Sequence, residues 1–231
     1  MYACRDADYV YRTTDYGLNW TKLTNGLILT NWRHSACSND GVNVIAAPSQ
    51  GVIYGSTDSG ATWTQRANSG SRSWNGIASN STGSNLVACV ASGTIYTSTN
   101  FGVNWTSRET SRSWGGVCSS SDGTKLAAVV FDGYIYTSTD SGLTWSQKIN
   151  SGSRFWRSIA SSSDGTKLVA VVENGFIYTS TDSGDTWTQR GLSKTWRSVS
   201  SSSDGTKLIA AARFDKVYQS PDSGVTWNPI S

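Results

Sequence analysis

An eight-residue pattern, Ser/Thr-x-Asp/Asn-x-Gly-x-Thr/Asn-Trp, occurs six times in this chain and constrains its fold more than any bulk property. The copies begin at Thr13, Ser56, Ser98, Ser138, Ser180 and Ser220 and end at Trp20, Trp63, Trp105, Trp145, Trp187 and Trp227. Successive terminal tryptophans are 43, 42, 40, 42 and 40 residues apart. A period of about 40–45 residues marks a fold built blade by blade, so the expectation is an all-β propeller.

The stretch from Trp156 to Arg190 reads as one four-stranded antiparallel meander. Trp156–Ser161 is the first strand (A) and Asp164-Gly165 a hairpin turn, because glycine accepts the positive φ that tight hairpins need. Leu168–Val172 is a strand (B) apolar on both faces and hence buried on both. Glu173-Asn174-Gly175 turns into strand C, Phe176–Thr179, and the eight-residue box turns into strand D, Trp187–Arg190. Strand C carries a tyrosine in every copy: Tyr11, Tyr54, Tyr96, Tyr136, Tyr178 and Tyr218. Strand A carries Trp32, Trp74, Trp114, Trp156 and Trp196, which with the six box residues account for all 11 tryptophans. Each such ring buries about 150–250 Å², so this set is the chief candidate for what joins blade to blade. No window has apolar residues at i, i+3, i+4 and i+7, so helix is not expected.

Aligning the first copy with the fifth sets Met1 opposite Leu168, inside strand B. The reading is a single domain over 1–231, most simply six blades with the first lacking its inner strand A. The blades run 1–24, 30–67, 72–108, 112–149, 154–190 and 194–231. An incomplete sheet leaves an open edge, and open edges invite association, so a homo-oligomer is expected. The later copies are more alike, with Asp122-Gly123-Thr124-Lys125-Leu126 recurring from Asp164 and Asp204. That is recent duplication or deliberate amplification, and the sequence does not decide which.

Inside the box, the Asp carboxylate can accept backbone N–H bonds of its own turn, and Gly permits a left-handed backbone two residues later. Asn100 replaces Asp in the third copy and can make the same turn, which agrees with a mechanical role. Ser180-Thr181-Asp182-Ser183-Gly184-Asp185-Thr186-Trp187 resembles the Asp-box of BNR-repeat proteins, and the resemblance extends over nearly the whole chain. It implies a propeller with the box between strands C and D of each blade. Sialidases, some β-glucan hydrolases, sortilin-type receptors and photosystem II assembly factors share that box, so it does not fix a function.

Candidate chemistry falls on the end opposite the boxes, where the D–A and B–C connections meet. Arg72, Arg112, Arg154 and Lys194 each precede a strand-A tryptophan by two residues, and Arg33, Arg157 and Arg197 follow one directly. With Trp32, Trp74, Trp114, Trp156 and Trp196 they form a repeated cation-plus-aromatic pattern, expected at the mouth of the central channel. Arginine forks to carboxylates and stacks on rings. The leading expectation is a non-catalytic, lectin-like scaffold holding glycan or acidic protein ligands at near-equivalent sites; the competing reading is that the rings are inter-blade packing and the cations cap them.

A glycoside hydrolase is the second expectation, since Asp132, Glu173 and Asp215 occupy equivalent B–C turns and such an enzyme needs two carboxyl groups facing one cleft. None of Pro48, Pro221 and Pro229 sits two residues after an arginine, so the sialidase aromatic-Arg-Ile-Pro motif is missing. A third expectation is a purely structural unit.

The remaining features narrow the field. Net charge is +3 with no basic run, so nucleic acid is not expected. No stretch is long and apolar enough to insert in a membrane, and Met1-Tyr2-Ala3-Cys4 is not a signal peptide. His34 is the sole histidine and lacks a His/Cys cluster, so neither a metal nor a cofactor is expected. Cys4, Cys37, Cys89 and Cys118 allow at most one bridge and are read as free thiols. The sequons at Asn19, Asn80 and Asn104 are compatible with secretion, the compartment slightly favoured.

Overall fold

The computed structural model describes residues 1–230. Cα packing divides the chain into two compact units, Met1–Thr110 and Ser111–Ser231. Both are all-β, their antiparallel sheets arranged as propeller blades.

The first unit opens with a three-stranded sheet, β1 (Tyr2–Cys4), β2 (Val10–Arg12) and β3 (Thr21–Leu23). Two four-stranded meanders follow: β4 (Trp32–Cys37), β5 (Val44–Pro48), β6 (Ile53–Ser56) and β7 (Thr64–Arg66), then β8 (Trp74–Ser79), β9 (Leu86–Val90), β10 (Gly93–Ser98) and β11 (Thr106–Arg112). The second unit contains β12 (Trp114–Ser119), β13 (Leu126–Gly133), β14 (Ile135–Ser138) and β15 (Ser146–Lys148). Next come β16 (Arg154–Ser161), β17 (Leu168–Val172), β18 (Gly175–Ser180) and β19 (Thr188–Lys194). It ends with β20 (Trp196–Ser201), β21 (Leu208–Ala212), β22 (Val217–Ser220) and β23 (Asn228–Pro229). The first two meanders of this unit are also joined edge to edge through Phe131 opposite Phe155 and Gly133 opposite Arg154.

Two 3-10 turns, Ala67–Ser69 and Ile149–Ser151, are the helical elements among the described residues. They close the β4–β7 and β12–β15 blades. In the β8–β11 and β16–β19 blades the last strand instead runs on to Arg112 and Lys194, beyond the ends expected at 108 and 190.

Strand A differs from its reading as a regular strand. In all five, a β-bulge follows the tryptophan: Trp156 pairs with Val172 and Ser158 with Val171, which leaves Arg157 as the extra residue. Arg33, Asn75, Gly115 and Arg197 are its counterparts. A bulge bends the strand and re-aims a side chain. It also brings Trp156 and Ile159, three apart, into one core cluster.

Strands β5, β9 and β17 are buried on both faces, with different neighbours on each. Leu168, Ala170 and Val172 pack backward with Trp156 and Tyr178 against Ala127, Val129 and Ile135 of the preceding blade. Val169, Val171 and Ile177 pack forward against Trp196, Leu208, Ala210 and Tyr218 of the next. Ile45, Ala47 and Ile53 meet Trp74, Leu86 and Ala88 in the same way in the first unit. The strand-A tryptophans are the largest fully buried side chains, each at most 1% exposed. Each meets its strand-C tyrosine edge to face, from Trp32–Tyr54 at 5.3 Å and 82° to Trp196–Tyr218 at 5.4 Å and 80°.

The four cysteines are free thiols; Cys89 and Cys118 are buried, and burial pushes both up to about 12. Burial and the neighbouring Arg33 charge push His34 down to about 4. Of the sequon asparagines, Asn80 is buried and Asn19 donates its side-chain N–H to Asp15 at 2.7 Å.

Candidate functional site

The two ends of each blade differ in kind. At the box end one hydrogen-bond scheme repeats. Ser180 Oγ donates to Asp182 Oδ1 (2.7 Å) and accepts from the Gly184 N–H (2.9 Å). Asp182 accepts from the Thr186 N–H (2.9 Å) and hydroxyl (2.6 Å), and the Trp187 indole donates to the Gly184 carbonyl at 2.9 Å. The copies from Ser56 and Ser138 reproduce these contacts within a few tenths of an ångström. The Thr62 hydroxyl, then the Thr62 N–H and the Ser56 hydroxyl, hold the Asp58 carboxyl at about 2. The Asp140 carboxyl sits at about 2 for the same reasons. Asn100 accepts from the Asn104 N–H at 2.9 Å, so the amide does the turn's work.

The A–B turns at this end use a related scheme that the sequence reading missed. Ser162 Oγ donates to Asp164 (2.6 Å) and accepts from the Lys167 N–H (3.0 Å), and the Asp164 carboxyl is lowered by Ser162 first and Thr166 next. Backbone bonds link these turns across blades: Ser121 N–H to the Ser163 carbonyl and Ser163 N–H to the Ser203 carbonyl, both 2.7 Å. The Ser-x-Asp-Gly-Thr-Lys recurrence was the available signal.

At the opposite end the expected site residues separate into three groups. Trp32, Trp74, Trp114, Trp156 and Trp196 are core, each at most 1% exposed, so they offer no platform to a ligand. Arg72, Arg112, Arg154 and Lys194 lie over the strand-C rings of Tyr96, Tyr136, Tyr178 and Tyr218 at 4.5, 4.7, 4.6 and 4.9 Å. Arg72 and Arg154 also donate through Nε to the Ser69 and Ser151 carbonyls at 3.0 and 3.2 Å. Lys194 bonds Asp215 at 2.6 Å, which lowers the Asp215 carboxyl and raises the lysine. These four cations therefore cap a Trp–Tyr pair in their own blade.

The third group forms a clamp. Arg157 Nε meets Glu173 Oε2 at 3.1 Å and Arg197 Nη2 meets Glu173 Oε1 at 2.9 Å. Glu173 sits in the β17–β18 turn, so one carboxylate ties the bulge residues of two successive blades. Phe131 lies beneath the Arg157 guanidinium at 5.2 Å and packs against Phe155 at 5.1 Å. Phe155 is 48% exposed, and Arg157 and Arg197 keep about a third of their surfaces in water. Arg33 is exposed and stands apart in the first unit. The sequence reading named Glu173, Arg157 and Arg197 but not their convergence, and it missed the contribution of both phenylalanines. The signal was an arginine directly after the tryptophan in consecutive blades with a glutamate in the turn between.

Among the described residues no cluster of His, Cys, Asp and Glu could hold a metal ion, and no helix is long and apolar enough to cross a membrane.

No family model matches the sequence, and no curated protein matches it. Solved structures do. Among them are GH74 and YCF48 propellers. The Niastella koreensis GH74 enzyme superposes with TM-score 0.80 at 20% identity, over 99% of this chain and 43% of its own. The GH74 xyloglucanase from Xanthomonas campestris gives 0.75 at 17%, over 100% and 43%. YCF48 bound to D1 peptide gives 0.71 at 18%, over 99% and 77%. This chain therefore spans less than half of each GH74 enzyme. At such identities the likeness establishes the β-propeller fold. The lectin-like scaffold expected from the sequence is corrected on two grounds: these relatives are GH74 enzymes and a peptide-bound YCF48, and the tryptophans that would have faced a glycan are interior.

Proposed function

We propose that the chain is a propeller of the assembly-factor type that holds a segment of another protein at the Glu173 clamp, and that its six boxes are Asp-boxes of the BNR type. The clamp carries this reading. Glu173 fixes two guanidinium groups, whose remaining N–H donors suit main-chain carbonyl oxygens of an extended segment. The Phe131–Phe155 pair beside them suits an apolar side chain. The span supports it too, since the chain corresponds to most of the peptide-bound YCF48.

The test is selection of a displayed peptide library against the purified chain, followed by calorimetry. Selected peptides should bind, and Arg157→Ala and Arg197→Ala should each weaken them at least about tenfold, the effect of losing about 1.4 kcal/mol of contact. Selected peptides that bind both variants undiminished would remove the clamp from the function.

A second reading, a glycoside hydrolase, is favoured by the high superposition on GH74 enzymes and by the alignment of Asp132, Glu173 and Asp215 in successive B–C turns. Against it, Glu173 and Asp215 are committed to cations, and Lys194 lowers the Asp215 carboxyl where a general acid needs a raised one. Release of reducing sugar from xyloglucan, abolished by Glu173→Gln, would establish it.

A further inference from the structure

Three pockets of one design lie at the box end, each between two successive blades of one unit. Lys125, Ala127, Ser138, Gly165 and Ser183 line the pocket between the β12–β15 and β16–β19 blades. Lys167, Val169, Ser180, Gly205 and Ser223 line the one between the β16–β19 and β20–β23 blades. In both, the lysine stem lies over the glycine of the following A–B turn, 2.8 Å and 2.7 Å from where a Cβ would stand. Lys125 Nζ reaches Ser183 Oγ at 3.4 Å, and Lys167 Nζ reaches the Asp204 carbonyl at 2.9 Å. The chain's own cation thus lies across the mouth of each pocket.

The pocket between the β4–β7 and β8–β11 blades has the same position and a volume of about 200 Å³, but its lining is changed. Asn43 replaces the lysine, Ile45 replaces Ala127 and Val169, and Phe101 replaces Ser183 and Ser223. Val42, beside Asn43, replaces Thr124, Thr166 and Thr206. Phe101 is 40% exposed at a φ of 58°, the left-handed conformation that Ser59, Ser141, Ser183 and Ser223 take in their boxes. A bulky residue is uncommon there. Val42 and Val103 are exposed as well. The charge pattern changes with the lining. In the β8–β11 blade Thr82 and Asn100 stand where the next blade has Asp122 and Asp140. Across 38–43, 56–63, 80–85 and 98–105 the charged residues are Asp40 and Asp58, with no Lys or Arg. Hydroxyl and N–H donors hold both carboxylates, which leaves their charge in place. Arg12 comes from the opening sheet to the Ser59 carbonyl at 2.7 Å.

The geometry points to a docking site at this pocket for an apolar side chain of a partner protein, aromatic or long aliphatic, carried next to a basic residue. The side chain enters beside Phe101, toward Ile45 and Leu86. Exposed apolar groups gathered around a pocket mark such a site. The basic residue brings to Asp40 and Asp58 the positive charge that Lys125 and Lys167 bring to the sister pockets, and charge matching of this kind selects partners. The site lies at the box end of the first unit, shares no residue with the Glu173 clamp and does not depend on it.

Peptide selection with the clamp disabled tests this. A displayed peptide library is selected on the full chain carrying Arg157→Ala and Arg197→Ala. Recovered peptides should pair an aromatic or long aliphatic residue with Lys or Arg, and their affinity should fall as salt is raised. Phe101→Ser and Asn43→Lys, each added to that chain, install the residues that the sister pockets carry, so both should fold, which circular dichroism checks. Each should weaken the recovered peptides at least about tenfold in calorimetry. A selection that recovers no binder overturns the proposal, and so do peptides without the apolar–basic pair. Peptides that either folded variant binds undiminished overturn it too. None of these results touches the clamp reading, which is tested on peptides selected by the unmodified chain.

Discussion

Within the second unit, the box end and the clamp end differ in how their charges are used. At the box end each carboxylate is satisfied by residues two to four positions away, and the scheme recurs from blade to blade. At the clamp end Glu173 is paired with residues distant in sequence, from two blades, and the equivalent turn positions are Asp132 and Asp215. Repetition marks what the fold requires of every blade. Chemistry specific to this protein is found where the repeat is broken.

Substitutions can break or sharpen this contrast. The largest effect lies between the ends, in the shared core. Trp156→Ala removes a fully buried ring that contacts both Tyr178 and Trp187 and should cost about 3–5 kcal/mol in denaturant unfolding. Ser180→Ala at the box end leaves the buried Gly184 N–H without its acceptor. It should cost about 1–3 kcal/mol without changing peptide binding. Glu173→Gln at the clamp end should reverse that pattern. As a partly exposed ion pair it should cost less than about 1 kcal/mol of stability, yet weaken selected peptides by freeing both guanidinium groups. Equal stability losses at Ser180 and Glu173 would dissolve the distinction.

Acid offers a finer probe. Asp58 and Asp140 are held at about 2 in the folded state, against 3.8 for the ordinary group. A depressed folded value means that the stabilisation is present above about pH 4 and is lost as pH falls through 2. Thermal unfolding followed from pH 5 to pH 2 should show that decline, and Asp140→Asn should flatten part of it, as Asn100 already does in the third box.

Much of the architecture was legible in the chain. The Trp-to-Trp period gave the propeller class and the strand order within each meander, and the alignment of Met1 with Leu168 anticipated the three-stranded opening sheet. The tryptophans were legible as repeated, but whether they faced a ligand or a neighbour was not, because inward and forward positions both read as apolar. The strand-A bulge was invisible for a related reason: a single extra residue leaves the apolar pattern ambiguous, and only the pairing of Trp156 with Val172 and Ser158 with Val171 reveals it.

By itself the sequence determined whatever depends on neighbours a few residues apart: the box hydrogen bonds, the Asp-Gly turns and the alternation of each strand. Those interactions close within one turn of chain, so residue type and spacing suffice. Only the tertiary structure decided that Arg157 and Arg197 converge on one glutamate and that Arg72, Arg112, Arg154 and Lys194 lie on tyrosine rings. The first depends on how one blade is placed against the next and the second on how the strands of one blade pack, neither of which local spacing encodes.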